Sequence, residues 1–225
     1  RDIDALNPRT RSRALPAGLL GLGEAIGFFL LSVGLLVLSA AMLHPLALAL
    51  CPIALAVTLL YSHTKRFTPL SHFVLGLSLG IAPAAAWIGV RGDLDPRIGW
   101  VTVAVLFWTA GFDIIYSLQD DRFDAEHGLR SIPQTLGRTK ALLVSRVCHA
   151  LAVGCLVAAG WTMGAGAMFY LGVGVAALLL AYEQHLVRPN DLSRVNMAFF
   201  TLNGYVSIGL FLFALADLVV RRSMV

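Results

Sequence analysis

Charge is what this sequence has least of. Only 13% of its 225 residues are Asp, Glu, Lys or Arg, where an average soluble domain has about 25%. With 58% hydrophobic residues and a mean hydropathy of +0.78, too little polar surface remains to face water. A soluble domain and a disordered chain are both excluded. Cysteine is scarce too. Cys51, Cys148 and Cys155 are odd in number and fall in apolar runs, which excludes a disulfide scaffold and reads as inert packing. Also missing is the apolar–polar alternation over segments of about ten residues that marks a membrane β-barrel; residues 98–110 have none. Backbone groups left unpaired cannot sit in lipid, so a spanning chain that is not a barrel is helical. Finally, no secretory leader opens the sequence. It starts with the polar stretch 1–13 and with Arg rather than Met, the expected mark of a truncated or processed chain.

What is present is a series of long apolar runs. A spanning helix needs about 20 such residues, and seven runs meet or approach that: 19–43, 45–61, 70–90, 98–118, 141–159, 161–182 and 197–220. The expected fold class is therefore all-α, a multi-pass transmembrane helical bundle of about seven spans. Pro45, Pro52 and Pro83 lie at a helix start or inside a run, where a bundle tolerates kinks. No second domain, repeat or low-complexity tail is evident, so residues 1–225 read as a single integral-membrane domain.

Alternating the spans sorts the loops. Residues 1–13, 63–69, 122–140 and 184–194 share one side, and His44, 91–97, Gly160 and the C-terminus share the other. The first side collects Arg1, Arg9, Arg11, Arg13, Lys65, Arg66, Arg122, Arg130, Arg138, Lys140, Arg188 and Arg194, against Arg91, Arg97, Arg221 and Arg222 opposite. The positive-inside rule puts the first side in the cytoplasm, and the inner membrane is the expected location. The net charge of +4 is thereby explained as loop orientation, with no nucleic acid partner. Every dense polar cluster, Asp2/Asp4, Lys65/Arg66 and 113–124, lands on that same face. A transporter would place ionisable groups near the midplane among broken helices. A one-sided cap fits an enzyme working at the cytoplasmic interface.

The richest stretch is Gly111-Phe112-Asp113-Ile114-Ile115-Tyr116-Ser117-Leu118-Gln119-Asp120-Asp121-Arg122-Phe123-Asp124. On one continuous helix, Asp113, Tyr116, Asp120 and Asp124 share a face. Acids so placed repel one another and call for a cation, and oxygen-only ligands point to Mg²⁺ shared with substrate phosphates. The plainer alternative is a solvated loop whose acids pair with Arg122 and Arg130. Tyr61-Ser62-His63-Thr64-Lys65 sets Tyr61 and Lys65 one turn apart, with Arg66 next. Lys65 reads as a point charge for a diphosphate; for Arg66, simple anchoring at the membrane surface is an equal alternative. Glu24 reads as reaching an acceptor pocket or as an interhelical hydrogen bond. Asn196 and Asn203 read as helix–helix glue, and His63, His72, His127 and His185 as dispersed histidines without metal spacing.

These residues resemble the UbiA superfamily of intramembrane aromatic prenyltransferases. Asp113, Tyr116, Asp120 and Asp124 match its second aspartate motif, and Tyr61 with Lys65 its Y-x-x-x-K. Asp4 followed by Asn7-Pro8-Arg9-Thr10 is similar to the tail of its first motif, whose earlier Asn and Asp would fall upstream of Arg1 together with the first family helix. The chain is thus expected to be N-terminally incomplete. The resemblance implies joining a polyprenyl diphosphate to an aromatic acceptor with Mg²⁺, in membrane lipid. It implies metal binding by Asp4, Asp120 and Asp124, and diphosphate contacts from Arg9, Lys65 and Arg138. Tyr116 would supply a positioning hydrogen bond. Asp113 would bind metal or help deprotonate the acceptor, Arg13 would meet an acceptor carboxylate, and Tyr61 and Arg66 would complete the substrate site. The wording around Tyr61–Phe73 and Gly111–Ser117 is most similar to the 4-hydroxybenzoate polyprenyltransferase branch, whose relatives in the futalosine route to menaquinone are the alternative. A transporter and a non-catalytic scaffold are the alternatives of a different class.

Overall fold

The structure, a computed structural model, describes residues 2–223; Arg1, counted above among the cytoplasmic cations, lies outside them. A short helix α1 (Asp2–Leu6) precedes an irregular segment, after which come α2 (Leu22–Leu43), α3 (Pro45–Thr64), α4 (Ser71–Arg91) and α5 (Ile98–Ser117). Two short helices, α6 (Asp121–Glu126) and α7 (Ile132–Leu136), lead to α8 (Arg138–Thr162), α9 (Ala167–Leu186), a π-helical stretch (Met197–Leu202) and α10 (Asn203–Ser223). Among the described residues seven helical segments are long and apolar enough to cross a membrane. The all-α, multi-pass bundle is as expected, and the protein is an integral membrane protein.

Burial is greatest at the centre, where α5 packs against α4 on one side and α8 on the other. Ala110, Ile114, Ile115, Ala141, Leu142, Val195 and Ala198 form the main cluster there. The peripheral α2 carries exposed Phe28, Leu30, Leu31, Leu35 and Leu38, as a helix does whose surroundings are lipid tails rather than water. Pro45 occupies the first turn of α3, where its missing N–H is no loss. Pro52 and Pro83 sit inside α3 and α4. The three cysteines are unpaired, with Cys51 and Cys148 buried.

Three details differ from the sequence expectation. First, Gly160 lies inside α8 and makes no turn; the reversal comes at Gly164, whose φ of +64° favours glycine. Second, the last span is not uniform. It opens with a π-helical stretch, where Asn203 Nδ2 donates to the carbonyls of Ala198 and Phe199 at 3.2 and 3.0 Å. The Asn203 Oδ1 accepts from Trp108 Nε1 of α5 at 2.7 Å, the interhelical bond expected of it. Third, Glu24 reaches no pocket: it is exposed and accepts from the Gly21 N–H at 2.8 Å, closing the start of α2.

Candidate functional site

The C-terminal ends of α3 and α5 meet α1, α6 and the irregular segment 7–20 at one polar cavity of about 310 Å³. Its walls include Asp4, Asn7, Arg9, Thr10, Arg13, Tyr61, Lys65, Arg66, Asp113, Tyr116, Asp120 and Asp124. The single-helix face expected for the acids is not what gathers them. Helix α5 ends at Ser117, whose hydroxyl donates to its own Ile114 carbonyl at 2.9 Å. Asp120 sits in the following turn and Asp124 on α6. At 1.5 Å per residue, a continuous helix would carry Asp124 roughly 16 Å along the axis from Asp113. The break folds it back over the same cavity instead.

Each of the two deepest acids has a cationic partner. Asp120 is 5% exposed and Asp124 only 2%. Arg9 meets Asp120 through both oxygens, with Nε to Oδ1 at 2.9 Å and Nη2 to Oδ2, the bidentate geometry that fits a guanidinium to a carboxylate. Asn7 Nδ2 adds a third bond to Asp120 Oδ1 at 3.1 Å, while its Oδ1 accepts from the Arg9 backbone N–H. Lys65 Nζ donates to Asp124 Oδ2 at 3.0 Å. Burial alone would raise the Asp120 pKa. The bonds from Arg9 and Asn7 and the charges of Arg9 and Lys65 outweigh it and hold the carboxyl below its ordinary range. The solvated-loop pairing with Arg122 and Arg130 is therefore not the one adopted.

Tyr116 belongs to the same network. Its hydroxyl accepts from Arg9 Nη1 at 2.9 Å, and the guanidinium lies 4.9 Å from the ring centroid. Phe199, from the π-helical stretch, stacks on the Tyr116 ring with centroids 4.0 Å apart and planes 25° from parallel. The wider turn thus helps fix the Tyr116 ring.

Not every candidate comes together. Arg138 is absent from the cavity wall; its Nε and Nη2 donate to Asp121 at 2.6 and 3.0 Å, and its Nη1 to the Pro189 carbonyl at 3.2 Å. It ties α6 and the loop after α9 to the start of α8. Conversely, one group of the cavity wall and one just behind it escaped the residue-level reading. Asn7 was visible only as part of a motif. His72, taken as one of several dispersed histidines, is fully buried and bonds to Asp113 at 2.7 Å. The available signal was its place in the first turn of a span on the acid-bearing side.

A metal can be tested against the donor set. The acids offer oxygen only, which suits Mg²⁺ rather than a soft metal. Among the described residues no three acid, His or Cys side chains converge into a closed metal cage. Mg²⁺ does not require one, since it keeps waters and takes one or two carboxylates together with substrate phosphates. The cavity's carboxylates, Asp4, Asp120 and Asp124 among them, offer the oxygen donors from which one or two such ligands could come.

Comparison with known proteins agrees with this architecture. The sequence pattern of the UbiA prenyltransferase family matches residues 1–205. A 4-hydroxybenzoate octaprenyltransferase of Aromatoleum aromaticum is 32% identical over 223 residues, covering 97% of this chain and 74% of the relative. One from Vibrio cholerae serotype O1 is 31% identical over 211 residues, covering 93% and 73%. The apo structure of a UbiA homolog from Aeropyrum pernix K1 superposes with a TM-score of 0.88 at 36% identity, covering 96% of this chain and 80% of that one. A structure concerned with digeranylgeranylglyceryl phosphate synthase in membranes gives a TM-score of 0.70 at 20% identity, over 95% and 76% of the two chains, and shares the fold.

Proposed function

The chain belongs to the UbiA prenyltransferase family, and from that premise we propose that it moves a polyprenyl group from its diphosphate to 4-hydroxybenzoate for quinone biosynthesis. The observation that carries the reading is the convergence of four aspartates, Arg9 and Lys65 on one cavity capping an apolar bundle. The names of the two relatives support the acceptor. The seven spans act as a single domain in the inner membrane, with the cavity on the cytoplasmic face, as the loop charges favour.

The work divides among the residues by chemistry. Asp4, Asp120 and Asp124 would hold Mg²⁺, whose charge would offset that of the diphosphate. Lys65 offers the diphosphate a compact ammonium and Arg9 a planar fork. Both already lie against the acids, so neither charge has to be drawn in from solvent. Tyr116 accepts from Arg9 and keeps its own hydroxyl proton for a diphosphate oxygen. The allylic C–O bond breaks, the diphosphate leaves with the bonding electrons, and positive charge develops on the prenyl carbon. The apolar helices beneath the cap keep water from that carbon. The acceptor ring forms the new C–C bond, and Asp113 takes up the proton released from the acceptor. Arg13 faces the acceptor carboxylate, with Tyr61 and Arg66 completing the wall.

The test is prenyl transfer by membranes carrying the protein, given a polyprenyl diphosphate, Mg²⁺ and labelled 4-hydroxybenzoate. Label should pass into the lipid phase, and Arg13→Leu should raise the acceptor KM more than the diphosphate KM. Label appearing only with a futalosine-derived acceptor would move the assignment to menaquinone synthesis. No transfer to either acceptor would overturn it.

A further inference from the structure

His72 stands outside the cavity wall, yet it touches a residue that lines it. The ring is fully buried in the first turn of α4, and a polar ring so placed is costly unless its nitrogens are bonded. Both are. Nδ1 lies 2.7 Å from Asp113 Oδ2, and the backbone N–H of Ile132 points at Nε2 from 3.4 Å. A backbone N–H can only donate, so Nε2 is the accepting nitrogen. The proton therefore sits on Nδ1 and is donated to Asp113.

From this relay, Ile132 N–H to His72 and His72 to Asp113, we propose that His72 is a positioning residue that fixes the Asp113 carboxylate for its work on the acceptor. The inference rests on the acceptor role given to Asp113 above. The bond occupies Oδ2 and leaves Oδ1 as the oxygen open to a molecule in the cavity. Because Nε2 is committed to Ile132, His72 neither relays protons nor turns over; it holds one orientation. That orientation is shared by three elements. His72 lies in the first turn of α4, Asp113 lies near the end of α5, and Ile132 opens α7, which is itself capped by Ser131 Oγ accepting from the Gln134 N–H at 3.3 Å. Asp113 has 14% of its side chain exposed and His72 none, so a bound acceptor meets the carboxylate and never the imidazole.

Two amide substitutions separate this role from a merely structural one. An Asn at 72 can place its amide N–H near the Nδ1 position and keep the bond to Asp113, while losing the acceptor for Ile132. A Gln reaches the Nε2 position and does the reverse. Transfer assays on membranes carrying the full chain should show His72→Asn within several-fold of the parent kcat. His72→Gln and His72→Leu should lose kcat on the order of 100-fold, as expected when a reacting group is misplaced, with the KM for polyprenyl diphosphate unchanged. In an Asp113→Asn background, His72→Leu should cost nothing more. Activity retained by Gln and lost by Asn would overturn the proposal, as would a His72→Leu loss that adds to that of Asp113→Asn. Selective ¹⁵N-histidine spectra of the parent protein test the relay without turnover. They should show His72 protonated at Nδ1 and not at Nε2, with the signal shifting in Asp113→Asn; the opposite tautomer would also overturn it. Full transfer by Asp113→Asn would remove the acceptor role of Asp113, and the relay would then stand or fall on the spectra alone.

Discussion

At the scale of single residues, the site is organised by pairing rather than by repulsion. Four carboxylates on one cavity would be unstable at neutral pH if left to one another, and Arg9 and Lys65 resolve this by lying directly against the two most buried. Removing one partner of such a pair leaves the other charge buried and uncompensated. Asp120→Asn should therefore lower transfer on the order of 100- to 1,000-fold, as for loss of a key electrostatic group, and also free the segment bearing Asn7 and Arg9. Limited proteolysis of that segment, run beside the transfer assay, checks both effects.

Arg138 carries a different prediction. Two of its bonds go to Asp121 and one to the Pro189 carbonyl, so Arg138→Leu should impair transfer at least as much as Asp121→Asn, and the double variant no more than Arg138→Leu. A diphosphate KM raised by Arg138→Leu alone would contradict this. The pair also sets a pH dependence. Hydrogen bonds from Arg138, opposed by partial burial and aided by the charges of Arg138 and Arg122, hold the Asp121 pKa below its ordinary 3.8. A lowered folded value means the stabilisation is complete above the unfolded value and is lost as pH falls through the folded one. In melting experiments, the stability gap between the parent and Arg138→Leu should close as pH drops below 3.8.

At the scale of elements, the decisive feature is where α5 stops. Residue types and spacing within 113–124 are legible in the sequence, since Asp and Tyr at those intervals in an apolar chain point to polar chemistry. The path of the chain through them is not. It depends on Ser117 bonding its own turn and on Asn7 and Arg9, more than a hundred residues away, meeting Asp120. For the same reason the sequence marks His72 only by its place at the start of a span: its partners, Asp113 and Ile132, are both distant in sequence. Close packing of α4 on α5 holds these groups in register. It uses Gly76 and Gly80, where an added Cβ would lie 2.3 Å from the Leu106 carbonyl oxygen and 2.7 Å from that of Thr102. The Leu106 atom is backbone and cannot swing away, so Gly76→Ala should destabilise by about 1–3 kcal/mol or more. A lowered melting temperature in detergent, with transfer lost in step, is the expected result; an unchanged one would show that the two helices can part without cost.

At the scale of the whole molecule, sidedness joins fold to function. The bundle and its seven spans could be read from hydropathy alone, because lipid leaves a chain few choices. Alternation of loops then gathered the polar clusters on one face, and the cavity lies there. Orientation can be checked with thiols placed at exposed positions, Glu126 on the cavity side and Leu94 on the other. In intact cells an impermeant reagent should label Leu94→Cys, and Glu126→Cys only after permeabilisation; the reverse pattern would contradict a cytoplasmic active face.

The most direct test of the account is Mg²⁺-dependent formation of prenylated acceptor by the protein in lipid vesicles, comparing the parent chain with Asp124→Asn at matched folded amounts. The account predicts product that requires Mg²⁺ and falls at least about 100-fold in the variant, while the melting temperature stays high enough to confirm folding. Product that forms equally well without Mg²⁺, or equally well in the variant, would show that the polar cavity is not where the prenyl group is transferred.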